Sequence, residues 1–141
     1  MSKSYEATVD WVEADAFRAL GPSGHAVVFD GAAPDDPSRG PSPVEALLLA
    51  FGACDGINVV STLRKMRQEV TGYRVRLHGE RRDEPPRIFT RIEVEHEVRG
   101  RGLDPEKAAR AVELSAKYCS VGATLRLAAE VVESVRVVED V

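Results

Sequence analysis

Two cysteines are the residues of this 141-residue chain best suited to covalent chemistry. A thiolate is a nucleophile and a reductant, and a second thiol can close a disulfide on its oxidised form. Cys54 lies within PVEALLLAFGACDGINVVSTLRKM, and Cys119 follows 65 residues later in KYCSVGATLRL. On spacing alone both fit small core residues, a common role of free cysteine. Two features point the other way. Cys119 stands just before an expected helix start, where free N–H groups and the dipole lower a thiol's pKa. Cys54 adjoins Asp55, an odd polar insertion in an apolar helix, and has Gly52 and Gly56 two residues to either side. Each glycine costs about 1 kcal/mol of helix propensity relative to alanine. Close helix packing explains them, and so does room for a reactant at the sulfur.

Other chemistries have less behind them. His25, His78 and His96 stand alone on separate strands without metal-ligand spacing, so they read as solvated or satisfied strand residues and no metal is expected. The turn GPSGHAV lacks the Lys-Ser/Thr of a phosphate-binding loop, and no G-x-S-x-G nucleophile elbow occurs, so no cofactor is expected either. The tract ERRDE reads as a solvated turn.

Cys54 must be positioned by a long helix over 43–66. Ser42 is its expected N-cap, Pro43 sits where a missing N–H does no harm, and Glu45 completes an S-x-x-E capping box. Leu47, Leu48, Leu49, Phe51, Ile57, Val59, Val60 and Leu63 lie on every side of it. A helix apolar all round is buried all round, by the rest of the chain or by a second copy. A membrane span is not expected, because Asp55, Asn58, Ser61, Thr62 and Arg64 interrupt the run.

Around it the alternation of Tyr5, Ala7, Val9 and Trp11 predicts a strand over 4–11, and 17–20 with 25–30 predict a hairpin. Residues 31–42 hold three prolines and two glycines and read as a loop. Tyr73, Val75 and Leu77 alternate with Arg74, Arg76 and His78 in a further strand, and 88–99 alternate in another. Asp104-Pro105 starts a second long helix, Ser120 is the expected cap of a short third one, and 129–138 form the last strand. The order β-β-β-α-β-β-α-α-β indicates an α+β fold in a single domain over 1–141.

A net charge of −4 without a basic tract argues against nucleic acid or an anionic membrane surface as partner. The N-terminus MSKSYEATVDW lacks the apolar core of a signal peptide, so a cytoplasmic location and reduced thiols are expected.

GPSPVEALLLAFGACDGINVVSTL, ERRDEPPRIFT and YCSVGATL, in this order, closely resemble OsmC-like proteins, the family of osmotically inducible protein C and the organic hydroperoxide resistance proteins. The segment around Cys119 is most similar to the less characterised OsmC-like branch. The resemblance implies an α+β homodimer of two intertwined chains, with central cysteine-bearing helices and surrounding antiparallel sheets. It also implies a cysteine-based peroxidase that reduces organic hydroperoxides. Cys54 would be the peroxidatic thiolate, Cys119 the resolving thiol, and a cellular dithiol the reductant. An arginine–glutamate pair serves the thiolate in the peroxidase members. Here Arg39 is the first candidate for the arginine and Arg18 the second, with Glu45 as the acid, although Val44 stands where the family's glutamate would. The alternative function is a non-catalytic stress or small-ligand-binding protein that keeps the fold and both thiols.

Overall fold

The computed structural model describes residues 3–31 and 37–140, so residues 32–36 of the expected loop lie outside the described residues. The elements follow the expected order: β1 (Thr8–Glu13), β2 (Ala16–Leu20), β3 (Ala26–Asp30), α1 (Pro43–Lys65), β4 (Glu69–Arg81), β5 (Phe89–Arg101), α2 (Pro105–Tyr118), α3 (Ser120–Arg126) and β6 (Glu130–Glu139). The first strand starts at Thr8 and leaves Tyr5 and Ala7 outside it. The chain forms two compact units, 1–47 and 48–141.

The first unit carries the antiparallel sheet β1-β2-β3. Val9, Trp11, Val12 and Val27 are all exposed on it, Trp11 by 68%. Gly40 is required by close approach: a Cβ there would run into the Val28 carbonyl oxygen.

The second unit carries the sheet β4-β5-β6. β4 and β5 pair antiparallel, but β6 pairs parallel to β5, with Ile92 opposite Val131 and His96 opposite Val135. The expected antiparallel pairing holds within β1-β2-β3 and between β4 and β5, and is corrected for β6 alone. The chain crosses over through α2 and α3 before re-entering the sheet, which is what a parallel neighbour demands. α2 starts as its sequence predicts: the Asp104 carboxylate accepts from the Glu106 N–H at 2.9 Å, and Pro105 opens the helix. The core joins Val59 and Leu63 of α1, Val98 of β5, and Ala111 and Val112 of α2.

The start of α1 also follows its sequence, since the Glu45 N–H donates to Ser42 Oγ at 3.1 Å. Its burial does not. Phe51, Gly52, Asp55, Gly56, Val59 and Leu63 form one buried face, while Leu49 and Ile57 stay exposed, Ile57 by 72%. A single chain covers only one side of this helix. By length and mean hydropathy α1 would also pass as a membrane span, so its polar insertions do not exclude that reading by composition. Its buried face packs against β4, β5 and α2.

Close packing accounts for the two glycines. A Cβ on Gly52 would lie 2.7 Å from Leu77 Cδ1, and one on Gly56 would lie 2.9 Å from Tyr73 Cε1. The Leu77 tip can change rotamer, whereas the Tyr73 ring is fixed by the hydrogen bond between its hydroxyl and His96 Nδ1. Gly56→Ala should therefore destabilise by about 1–3 kcal/mol, more than offsetting the helix-propensity gain. Gly52→Ala should be milder. Urea unfolding of both variants checks this, and a Gly56→Ala protein as stable as wild type would contradict it.

Candidate functional site

Cys54 follows from the middle of α1 and is half-buried; Cys119 is fully buried between α2 and α3. Cys119 is both the C-cap of α2, through its N–H to the Ser115 carbonyl at 2.8 Å, and the N-cap of α3. Its Sγ accepts from the Gly122 N–H at 3.3 Å, so the cap expected of Ser120 is made by the thiol one residue earlier. The two thiols, remote in sequence, lie close enough for the Cys54 thiol to act on the titration of Cys119. Asn58 donates to the Cys54 carbonyl at 3.0 Å and reaches its Sγ at 4.0 Å.

Burial pushes the Cys119 thiol up to about 12, with the Cys54 thiol and the Asp55 charge acting in the same direction. The Gly122 N–H opposes this and loses. The lowering expected from a helix start is therefore overturned, because desolvation of a thiolate outweighs one hydrogen bond at a seven-residue helix.

Beside the thiols lies a buried ionic cluster that sequence reasoning missed. His96 does not stand alone. Its Nε2 is 2.8 Å from Glu133 Oε1 and 3.4 Å from Asp55 Oδ2, and the side chains of His96 and Asp55 are completely buried. Tyr73 Oη is hydrogen-bonded to His96 Nδ1 at 2.6 Å. Ser115 Oγ donates to Asp55 Oδ1, and Arg126 Nη2 donates to Glu133 Oε2 at 2.7 Å. Burial acts to raise the Asp55 carboxyl, but its pairing with His96 and hydrogen bonds within the cluster hold it at about 2. Burial likewise acts against the imidazolium, and the two facing carboxylates outweigh it, taking His96 to about 9. Glu133 is raised by burial and by the Asp55 charge.

Arg126 joins the two halves of the site. It donates to the Ala116 carbonyl at 3.0 Å and stacks 5.9 Å from the Phe51 ring centroid. A Cβ on Gly122 would meet Arg126 Nη1 at 2.9 Å and Cys119 Sγ at 3.4 Å, so guanidinium and thiol flank one glycine. A signal for the cluster was available. Asp55 falls in the i, i+4 series Phe51, Asp55, Val59, Leu63, and His96 falls in the buried phase of β5 between Val94 and Val98.

The remaining expected residues belong to the first unit. The Arg39 guanidinium pairs with Glu13 Oε1 at 3.2 Å, and its backbone N–H donates to the Asp30 carboxylate at 3.1 Å. Arg18 lies on β2 opposite Asp10 and Val28 and is exposed. Glu45 is in the first turn of α1.

The thiols should differ sharply in reactivity. A raised Cys119 keeps its proton in the folded protein, and the stability this contributes is present below the ordinary thiol range and is lost as pH rises toward about 12. Alkylation with iodoacetamide at pH 8 should modify Cys54 and spare Cys119 until the chain is unfolded. Labelling of both at similar rates in the folded protein would contradict the assignment.

Residues 34–134 match the family described as OsmC-like protein. Protein YhfA of Escherichia coli K12 is 46% identical over 134 residues, covering 94% of this chain and 98% of that protein. The crystal structure of a hypothetical protein from Aquifex aeolicus VF5 superposes with a TM-score of 0.87 at 27% identity, covering 99% of this chain and all of the other. The organic hydroperoxide resistance protein OhrB of Bacillus subtilis shares the fold, with a TM-score of 0.63 at 20% identity over 95% of this chain and 98% of that one.

Proposed function

The chain belongs to the OsmC-like family, and from that premise we propose that it is a dithiol peroxidase acting on organic hydroperoxides. The observation that carries this reading is the unequal burial of two thiols near enough for one to act on the titration of the other. Cys54, the more accessible, attacks the terminal peroxide oxygen as a thiolate. The O–O bond breaks, the alkoxide takes a proton and leaves as an alcohol, and the sulfur becomes a sulfenic acid. The Cys119 sulfur then displaces hydroxide from it; the Cys119 proton leaves with that hydroxide as water, and a disulfide forms. A dithiol reductant supplies two electrons and two protons to restore both thiols. The roles of the two cysteines follow from chemistry as well as from family: a buried thiol of high pKa is a poor first nucleophile but is well placed to resolve a neighbour.

Arg39, paired with Glu13 rather than Glu45, is the proposed cation for the reacting sulfur, with Arg18 as the second candidate. Two copies of the chain are proposed to intertwine and cover the apolar residues left exposed, among them Trp11 and Ile57. Light scattering after size exclusion should give about twice 15.4 kDa, and a stable monomer at micromolar concentration would remove this part of the reading.

The enzymatic part is tested with cumene hydroperoxide and a dithiol. Cys54→Ser should abolish turnover. Cys119→Ser should allow one oxidation and stall, with an added oxygen on Cys54 by mass spectrometry. Arg39→Ala should slow Cys54 oxidation at least ~10²-fold, the order expected for loss of a positioned electrostatic group. Turnover absent in wild type, with both thiols reduced after peroxide, would favour the non-catalytic reading that Val44 suggests.

A further inference from the structure

The buried cluster has more order than an ion pair requires. Asp55, His96 and Glu133 each offer one ligand atom, and these atoms all lie within 4.8 Å of one another. The atoms facing away are each held by a different side chain: Asp55 Oδ1 by Ser115, His96 Nδ1 by Tyr73, and Glu133 Oε2 by Arg126. Every inward donor thus has an outer partner that fixes its orientation, which is how metal ligands are held. One inward atom is unsatisfied. Among the described residues Asp55 Oδ2 makes no hydrogen bond of good geometry, and its 3.4 Å approach to His96 Nε2 is an ion pair alone. A buried acceptor left in that state calls for an explanation, and an ion is one of the few.

We infer that Asp55, His96 and Glu133 form a binding site for one divalent first-row transition ion of the zinc type. One imidazole and two carboxylates suit such an ion, whereas magnesium and calcium take oxygen ligands and gain little from the imidazole nitrogen. The separations of 2.8 and 3.4 Å from Nε2 to the two carboxylates bracket the ~3.3 Å edge of a tetrahedral site with bonds of about 2.0 Å. The ion takes the place of the imidazole proton that lies between the carboxylates, and Nδ1–H then donates to the Tyr73 oxygen. The ion's two charges match the two carboxylates, and Arg126 behind Glu133 adds one positive charge in excess. The ion would tie α1, which bears Cys54, to β5 and β6, and this holds whether or not the thiols reduce peroxides.

Because Cys54 and Cys119 could bind zinc themselves, the test uses the Cys54→Ser/Cys119→Ser protein. Titration with zinc sulfate by calorimetry should give one ion per chain and a higher unfolding temperature, with magnesium giving neither. His96→Gln and Asp55→Asn should remove the binding. Tyr73→Phe, which deletes only the outer partner of His96, should weaken it about 10–100-fold. It keeps the site testable if the ligand variants do not fold. Zinc bound by wild type but not by the thiol-free protein would assign the metal to the cysteines and overturn the site. Unchanged affinity in Tyr73→Phe, or no binding at all, would overturn it equally.

Discussion

The position of the helix that carries Cys54 depends on one buried interaction, the pairing of Asp55 with His96. Both side chains have no solvent exposure. Taking two charges out of water costs several kcal/mol for each, and their attraction recovers this only when geometry and further hydrogen bonds are good. Here the further bonds come from Ser115 on α2, Tyr73 on β4, and Glu133 on β6 with Arg126 of α3 behind it. Every element of the second unit therefore contributes a polar group to one point. An apolar core tolerates a helix that slides or rotates a little. A carboxylate that must meet an imidazole does not, because one residue of helical rotation is about 100° and carries Asp55 away from β5.

The glycines of α1 belong to the same constraint. Gly52 and Gly56 let the helix approach the side chains of Leu77 and Tyr73 closely. Tyr73 can then lie against α1 and still reach His96 with its hydroxyl. The close packing and the polar cluster are thus a single arrangement, in which small residues on the helix bring it close enough for the buried charges to meet. The sequence-based choice between packing room and reactant room resolves in favour of packing, and the thiol lies on another side of the helix beside Asn58 and Cys119.

Much of this architecture was legible in local pattern. Element order, the Ser42 and Asp104 caps and the alternation of β4 all follow from periodicity and turn chemistry, which act over a few residues. The parallel pairing of β6 was not legible, since strand direction depends on the path of a crossover and not on the strand's own residues. Nor was the cluster found, because Asp55, His96 and Glu133 have no common spacing and meet only through tertiary structure. The raised pKa of Cys119 is hidden from the sequence for a related reason. A helix start is visible in sequence, but the depth at which it is buried is not, and burial dominates.

There was still a usable trace of the cluster, and it was phase rather than spacing. Asp55 occupies the fourth-residue step between Phe51 and Val59. His96 stands between Val94 and Val98 on alternate positions of β5, and Glu133 stands between Val131 and Val135 on β6. Each is a polar residue where its own element's apolar phase requires burial. A single such residue can be solvated at an edge, but three of complementary charge on three central elements cannot all escape. A buried acid is tolerated only with a partner, and within one core the partners available are one another. Polar residues in the apolar phase of different elements therefore specify a contact, as hydrophobic periodicity specifies a face. In this chain that contact lies beside the two thiols, where Arg126 reaches from the Glu133 carboxylate to the flank of Cys119.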